Sequence, residues 1–429
     1  MDDVRNTDDA RDASVAPAGA SSLPAATPHA RSDGVTLVEG AQRQSGSQSL
    51  FGKSPSVRSA SRQDAGSPNG RGSGAAQGRR GSELPGDIYG ALDLGTNNCR
   101  LLLAKPSRRG FRVVDAFSRI IRLGEGVSQS GRLSPAAMAR TMDALRVCAD
   151  KLARSQARRS RLVATEACRI AENGPEFLAE VRERLGLDIE ILTRETEARL
   201  AVSGCVSLID TSSDYALVFD IGGGSSELIW LDLTRTGRSR ERTGDRIDIE
   251  KCLAAWTSLP VGVVTLAERF GGQFVTADLF EAMVDFVTGL LADFEREHGF
   301  AARIAGRSVH LLGTSGTVTT VAGIRMGLPR YDRNRVDGCW MSVSDAREVT
   351  YRLLAQTYEQ RIAEPCIGRD RADLVLAGCA ILEAVTRMWP SERLRVADRG
   401  LREGILSTLM YEDGVFKARR RRSGKRRRR

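Results

Sequence analysis

The sequence predicts an α/β protein of two similar lobes. Three observations carry this: apolar strand and helix patterns alternate from residue 87 to about residue 416, a strand–turn–strand motif opens each half, and the two copies of that motif lie 127 residues apart. Between the copies, Asp220 falls on Asp93, Gly222 on Gly95, Ser225 on Asn98 and Leu228 on Leu101. Lobe I is expected over 87–209 and lobe II over 210–416, flanked by an N-terminal extension, 1–86, and a basic tail, 417–429.

The elements can be justified in chain order. Residues 1–86 are rich in Ser, Ala, Gly, Pro, Asp and Arg and contain no Ile, Trp, Tyr or Cys. Such a stretch buries too little apolar surface to offset the entropy of ordering it, so it is expected to be disordered. From Asp87 the run IYGALDLGTNNCRLLLAK reads as strand, Gly-containing turn, strand. A helix follows in LSPAAMARTMDALRVCADKLA, with Ser134 as N-cap, Pro135 in the first turn, and Met138, Met142, Leu145, Cys148 and Leu152 at helical spacing. A strand at 161–165, a helix at 175–185, a strand at 189–192 and a helix opening near Arg194 complete the first half. YALVFDIGGGSSELIWLDL restarts the pattern, and the charged segment 234–250 reads as an exposed loop or extended hairpin. TADLFEAMVDFVTGLLADFERE predicts a long amphipathic helix with Phe280, Met283, Val284, Val287, Leu290, Leu291 and Phe294 on one face. A strand, Gly/Thr/Ser turn and helix come next in VHLLGTSGTVTTVAGI, then a helix in DLVLAGCAILEAVTRMW and a strand–turn–helix in LRVADRGLREGILSTLM.

Composition excludes several kinds of chemistry. Lys and Arg number 64 against 54 Asp and Glu, and the resulting +10 resides in the tail, where ten cations stand with no acid; residues 87–416 hold 44 basic and 45 acidic residues. The eight cysteines are nowhere closer than thirteen residues, so no CxxC zinc or redox spacing occurs and reduced, mostly buried thiols are expected. Three histidines, His29, His298 and His310, cannot form a multi-His metal centre. No run of eighteen apolar residues and no apolar leader at the start is present, which predicts a cytoplasmic chain without a membrane span.

Three turns carry the functional signal. Gly95, Thr96, Asn97 and Asn98 form one, and Gly222, Gly223, Gly224 and Ser225 the second; each follows an Asp that ends an apolar strand. Successive backbone N–H groups in such a turn point into one concavity, and Gly lets a phosphate approach the main chain. The third, with Thr314 and Ser315, joins a strand to a helix, where amides and helix dipole favour an anion. It does not fit the GxxxxGK[ST] pattern, which excludes a P-loop NTPase.

With these turns stand ALDLGTNNCRLLLAK, VATEACRIAENG, ETEARLAVSG, LVFDIGGGSSELI, LLGTSGTV, RADLVLAGCAIL and VADRGLREGIL, in that order between residues 91 and 406. In these motifs the chain resembles the exopolyphosphatase and guanosine pentaphosphate phosphatase family of the actin/hexokinase/Hsp70 fold superfamily. The resemblance implies two RNase H-like lobes with an interlobe cleft, and phosphoanhydride hydrolysis there. It implies Glu197 as general base on the attacking water, Arg169 on the phosphate chain, and Mg²⁺ held by Asp93, Asp220 and Glu227. Taken without the resemblance, Glu197 reads more readily as a solvated Glu paired with a nearby Arg, and only the resemblance reverses this. Two departures stand out: Asn98 replaces a commoner hydroxyl, and the chain lacks the His-Asp helical domain of longer members, so it matches the short form.

The expected reaction is release of orthophosphate from inorganic polyphosphate or guanosine pentaphosphate. Alternatives on the same fold are a polyphosphate/ADP phosphotransferase and a weakly catalytic regulator binding polyphosphate or RNA through the tail. The ten tail cations suit a polyanion, RNA or polyphosphate, and equally a merely solvated extension. The family's habit of dimerising adds a homodimer to the expected partners.

Overall fold

A computed structural model of the chain describes residues 87–107, 110–236 and 249–416. The expected disorder of 1–86 and of the basic tail, and most of the expected loop at 234–250, lie outside the described residues.

Two sheets form the body. The first contains β1 (Tyr89–Leu94), β2 (Asn98–Ser107), β3 (Gly110–Ile120), β4 (Arg159–Ala164) and β5 (Glu190–Ile191), in the order β3-β2-β1-β4-β5. The second contains β6 (Tyr215–Ile221), β7 (Ser226–Asp232), β8 (Leu253–Leu259), β9 (Val309–Thr314), β10 (Trp340–Ser342) and β11 (Arg393–Ala397), in the order β10-β11-β9-β6-β7-β8. In each, three antiparallel strands are continued by parallel ones, and the second sheet adds the antiparallel edge strand β10. This is the two-lobed, actin-like arrangement that the sequence predicts.

The anticipated helices form for the anticipated reasons. In Pro135–Ser155 the Ser134 hydroxyl accepts from the Ala137 N–H at 3.2 Å. Ala277–His298 buries Phe280, Met283, Val284, Val287, Leu291 and Phe294, and leaves Leu290 half-buried at the margin of the second core. Strand β3 has no counterpart in the sequence reading, because it is an edge strand. Most of its residues are half-buried or exposed, and a register irregularity opposite Leu103/Ala104 spoils its alternation. Strand β8 and the helices Val263–Phe270 and Val343–Leu354 are likewise additions. All eight cysteines are free, and only Cys339 is not fully buried. Among the described residues, no helix is long and apolar enough to cross a membrane.

Packing departs from chain order where the lobes meet. Helix Arg194–Cys205, at the end of lobe I, lays Ala198, Val202 and Cys205 on Val218, Ile229 and Leu231 of the second sheet. Helix Leu401–Glu412, at the end of lobe II, returns to cover the first sheet, with Leu401, Ile405, Leu409 and Met410 against Tyr89, Ala91 and Val163. The two helices cross in contact. A Cβ on Gly404 would lie 2.0 Å from the Leu200 carbonyl oxygen, and one on Gly204 would lie 1.9 Å from that of Gly400, so glycine is what allows the approach.

Candidate active site

The 127-residue repeat holds to the level of register. Gly95 N–H donates to the Asn98 carbonyl at 2.9 Å, and Gly222 N–H to the Ser225 carbonyl at 3.0 Å. Asp93 pairs across its hairpin with Arg100, and Asp220 pairs across the other with Glu227. The two turns meet head to head: a Cβ on Gly223 would lie 2.9 Å from Thr96 Cβ, and one on Gly224 would lie 2.8 Å from Thr96 Oγ1. The third turn joins them through β9, whose Thr314 is the register partner of Asp220, and through Ser315 at the start of helix Ser315–Arg325.

These three turns and Glu197 surround a cleft of about 400 Å³. Asp93, Gly95, Thr96, Asn97, Asn98, Glu197, Asp220, Gly222, Gly223, Gly224, Ser225, Glu227, Thr314 and Ser315 all line it. Asn97 Oδ1 and Asn98 Oδ1 are buried without a partner, so their amides are uncommitted toward the cleft; turned over, each presents an N–H₂ donor to an anion.

Arg169 is the residue placed differently. Instead of lining the cleft, it is bound to protein groups: Nη2 donates to Glu197 Oε2 at 2.8 Å, Nε to Glu166 Oε2 at 3.0 Å, and Nη1 to the Leu192 carbonyl. Glu166, only 4% exposed, is also held by Arg194 Nη2 at 2.6 Å. The guanidinium thus holds Glu197 in place from outside the cleft lining. Glu197 itself stands in the first turn of the Arg194–Cys205 helix, behind the Thr193 N-cap. Burial pushes its carboxyl up to about 7; Arg169 opposes the shift, and Asp93 and Asp220 add to it.

Burial also raises Asp93, against the pull of Arg100 and Arg402, and brings Asp220 up to about 6, with Asp93 adding repulsion and Arg100 opposing. Glu227 is 2% exposed; it accepts from the Ser225 hydroxyl at 2.7 Å and the Ser258 hydroxyl at 3.0 Å, and burial holds it well above the usual carboxylate range. Among the described residues no three His, Cys, Asp or Glu side chains come together as a ready-made metal-holding group. Asp93 and Asp220 remain as two hard oxygen donors at equivalent strand ends, both cleft-facing and both short of countercharge. That donor chemistry would suit a hard divalent cation such as Mg²⁺.

Sequence reasoning passed over Arg100, Arg371 and Arg402. All three line the cleft, and none makes a side-chain hydrogen bond or ion pair among the described residues. Each lies within one of the quoted motifs, and Arg100 occupies the place that the repeat gives to Glu227, so the signal was available.

The Ppx/GppA phosphatase family model matches residues 103–412. The chain belongs to the Ppx/GppA phosphatase family. Exopolyphosphatase 2 of Mycobacterium tuberculosis is 28% identical over 332 residues, covering 74% of this chain and 97% of that protein. The crystal structure of the Aquifex aeolicus Ppx/GppA family member shares 25% identity at a TM-score of 0.61, covering 77% of this chain and 99% of that one. An exopolyphosphatase-like protein of known structure shares 28% identity at a TM-score of 0.64, covering 76% and 98%. This Ppx/GppA phosphatase thus carries its three turns, two cleft-facing aspartates and Glu197 on the family's fold, with the first turn just ahead of the matched span.

Proposed function

We propose that this Ppx/GppA phosphatase hydrolyses terminal phosphoanhydride bonds with Mg²⁺, releasing orthophosphate from inorganic polyphosphate or guanosine pentaphosphate. The observation that carries the reading is Glu197: a carboxylate titrating near neutrality, held by Arg169, at the edge of a cleft built from phosphate-type turns. Such a group is suited to take a proton from water attacking a phosphorus atom. The turn amides, the amides of Asn97 and Asn98, and the unpartnered Arg100, Arg371 and Arg402 hold the phosphate chain and balance its charge, which is most of what phosphoryl transfer requires. Mg²⁺, when bound at Asp93 and Asp220, supplies Lewis-acid neutralisation of the phosphate oxygens.

A side pocket gives the substrate choice some content. It opens from Asn97, Asn98 and Arg371 onto Ile221, Val263, Ile367 and Leu374, a partly apolar wall next to the phosphate turns. This wall favours keeping a nucleoside-bearing chain, guanosine pentaphosphate or ADP as acceptor, beside plain polyphosphate. Orthophosphate release from each substrate, with and without Mg²⁺, tests the hydrolase; ATP formation in the presence of ADP would reassign it as a phosphotransferase.

Two predictions belong here. Because Glu197 must be ionised to accept a proton, kcat/KM should rise about tenfold per pH unit below about pH 7 and level off above it. A profile flat from pH 5 to 8 would remove Glu197 as the base. Asp220→Asn should raise the Mg²⁺ concentration for half-maximal activity on the order of tenfold or more, since a neutral amide is a poorer partner for a hard cation. A Mg²⁺ titration overlaying that of the unaltered enzyme excludes Asp220 from metal binding.

A further inference from the structure

We propose that Arg122, Asp373 and Glu268 form a clasp across the cleft and act as positioning residues, holding the two phosphate turns at their working separation. Arg122 follows β3 in lobe I, and its guanidinium crosses to lobe II. Nη1 donates to Asp373 Oδ2 at 2.8 Å, Nη2 to Asp373 Oδ1 at 2.9 Å, and Nη2 also to the Asp370 carbonyl at 3.2 Å. A few residues on, the Gly126 N–H at 2.8 Å and the Ser128 hydroxyl at 2.5 Å donate to the two carboxylate oxygens of Glu268. One segment of lobe I therefore makes two forked, charge-assisted contacts with two separate elements of lobe II, the geometry that gives such contacts their directionality.

The attachments of each end distinguish the clasp from ordinary surface ion pairs, which contribute little. On the lobe I side, the Ile121 and Arg122 N–H groups donate to the Asn97 carbonyl at 2.9 and 3.1 Å, and Gly124 N–H to the Thr96 carbonyl at 2.9 Å. A Cβ on Gly124 would lie 2.3 Å from Thr96 Cγ2, so this segment rests directly on the first phosphate turn. On the lobe II side, Glu268 belongs to helix Val263–Phe270, whose Val263 and Val264 N–H groups donate to the carbonyls of Gly222 and Gly223 at 2.9 and 2.8 Å. That helix carries the second turn. Asp373 stands two residues after Arg371, a cleft-lining cation. A displacement at the clasp passes to both turns through a single layer of backbone hydrogen bonds.

The backbone at Arg122 carries a further sign of constraint. Its φ of 48° lies in the left-handed region, shared among the described non-glycine residues with Gln156 and with Ser315 of the third turn. A non-glycine residue keeps such a conformation where its surroundings over-determine it, and such positions gather at ligand clamps and moving joints.

The inference rests on the proposed function only for its ligand, so its test begins without one. Small-angle X-ray scattering on the full chain reads lobe separation directly. Arg122→Asn tolerates a left-handed backbone while deleting the charge, Asp373→Asn removes the other partner, and Glu268→Gln weakens the second arm. Each should enlarge the radius of gyration relative to the unaltered protein at an unchanged thermal midpoint. Joining Arg122→Asp to Asp373→Arg should bring it back. Calorimetry with tripolyphosphate should show the Kd of the single variants raised on the order of 3–10-fold and restored by the swap, as expected when the binding-competent closed state is less populated. KM should rise in step while kcat moves much less. Single variants with unchanged dimensions, or opened variants that the swap fails to close, overturn the clasp. Absence of orthophosphate release by the unaltered protein would instead overturn the proposed reaction and leave the scattering result standing.

Discussion

Glu197→Gln should lower kcat by about 10² or more while leaving the affinity for polyphosphate close to unchanged. The amide keeps the size of the side chain and can still accept from Arg169 Nη2, so the Glu197–Arg169–Glu166 arrangement survives with its charge reduced. The change removes the capacity to take a proton from water, and the groups proposed to hold phosphate lie elsewhere in the cleft, on the turns and on Arg100, Arg371 and Arg402. The rising limb of the pH profile should vanish from the residual activity. Near-normal turnover in steady-state phosphate release would exclude Glu197 as the general base.

Gly404→Ala should destabilise the fold by roughly 3 kcal/mol, the upper end of the usual cost of overpacking, because the added Cβ would meet the Leu200 carbonyl oxygen at 2.0 Å. That oxygen belongs to the backbone of the crossing helix and cannot swing aside as a side chain would. The helices Arg194–Cys205 and Leu401–Glu412 must separate, and Glu197 rides on the first of them. A lowering of Tm by about 5 °C, with loss of activity below the transition, is expected for a body of this size. Gly289→Ala is the matched control: it also places a methyl group in a helix interior, but at an exposed position with nothing within 4 Å, so it should be neutral or slightly stabilising. Equal unfolding curves for Gly404→Ala and the unaltered protein would show that the crossing relaxes without cost.

The parts of the site legible in the sequence are those whose chemistry is local. An Asp closing an apolar strand followed by a Gly-containing turn is written in five or six consecutive residues, and its recurrence after 127 residues announced two equivalent hairpins. The structure keeps that correspondence to the residue. Arg169 shows the limit of such reading. Its destination depends on Glu166, three residues away and buried in the cleft wall, and on the Leu192 carbonyl. Spacing gives a residue's neighbours along a helix but not the competition among them for a guanidinium. Glu227 was legible as an acidic position beside the second turn, but its partner Ser258, on the unanticipated strand β8, was not. The sequence pattern also placed a helix near Leu401–Glu412 but not which sheet it would cover.

That last helix has a consequence for the order in which the protein matures. Tyr89, Ala91 and Val163 leave the ribosome early, whereas Leu401, Ile405 and Met410, which complete the core around them, are made roughly 240 to 320 residues later. At about 5–20 residues per second, the first sheet waits on the order of 15–60 s for its cover. During that interval its inner face is apolar surface in water, and the closing contact carries the loop-closure cost of nearly the entire body. The lobe translated first is therefore closed only by the last helix of the lobe translated second. The second sheet can gather most of its own core from Phe280, Leu291, Val321 and Ile381, while the first is sealed only when the final helix docks.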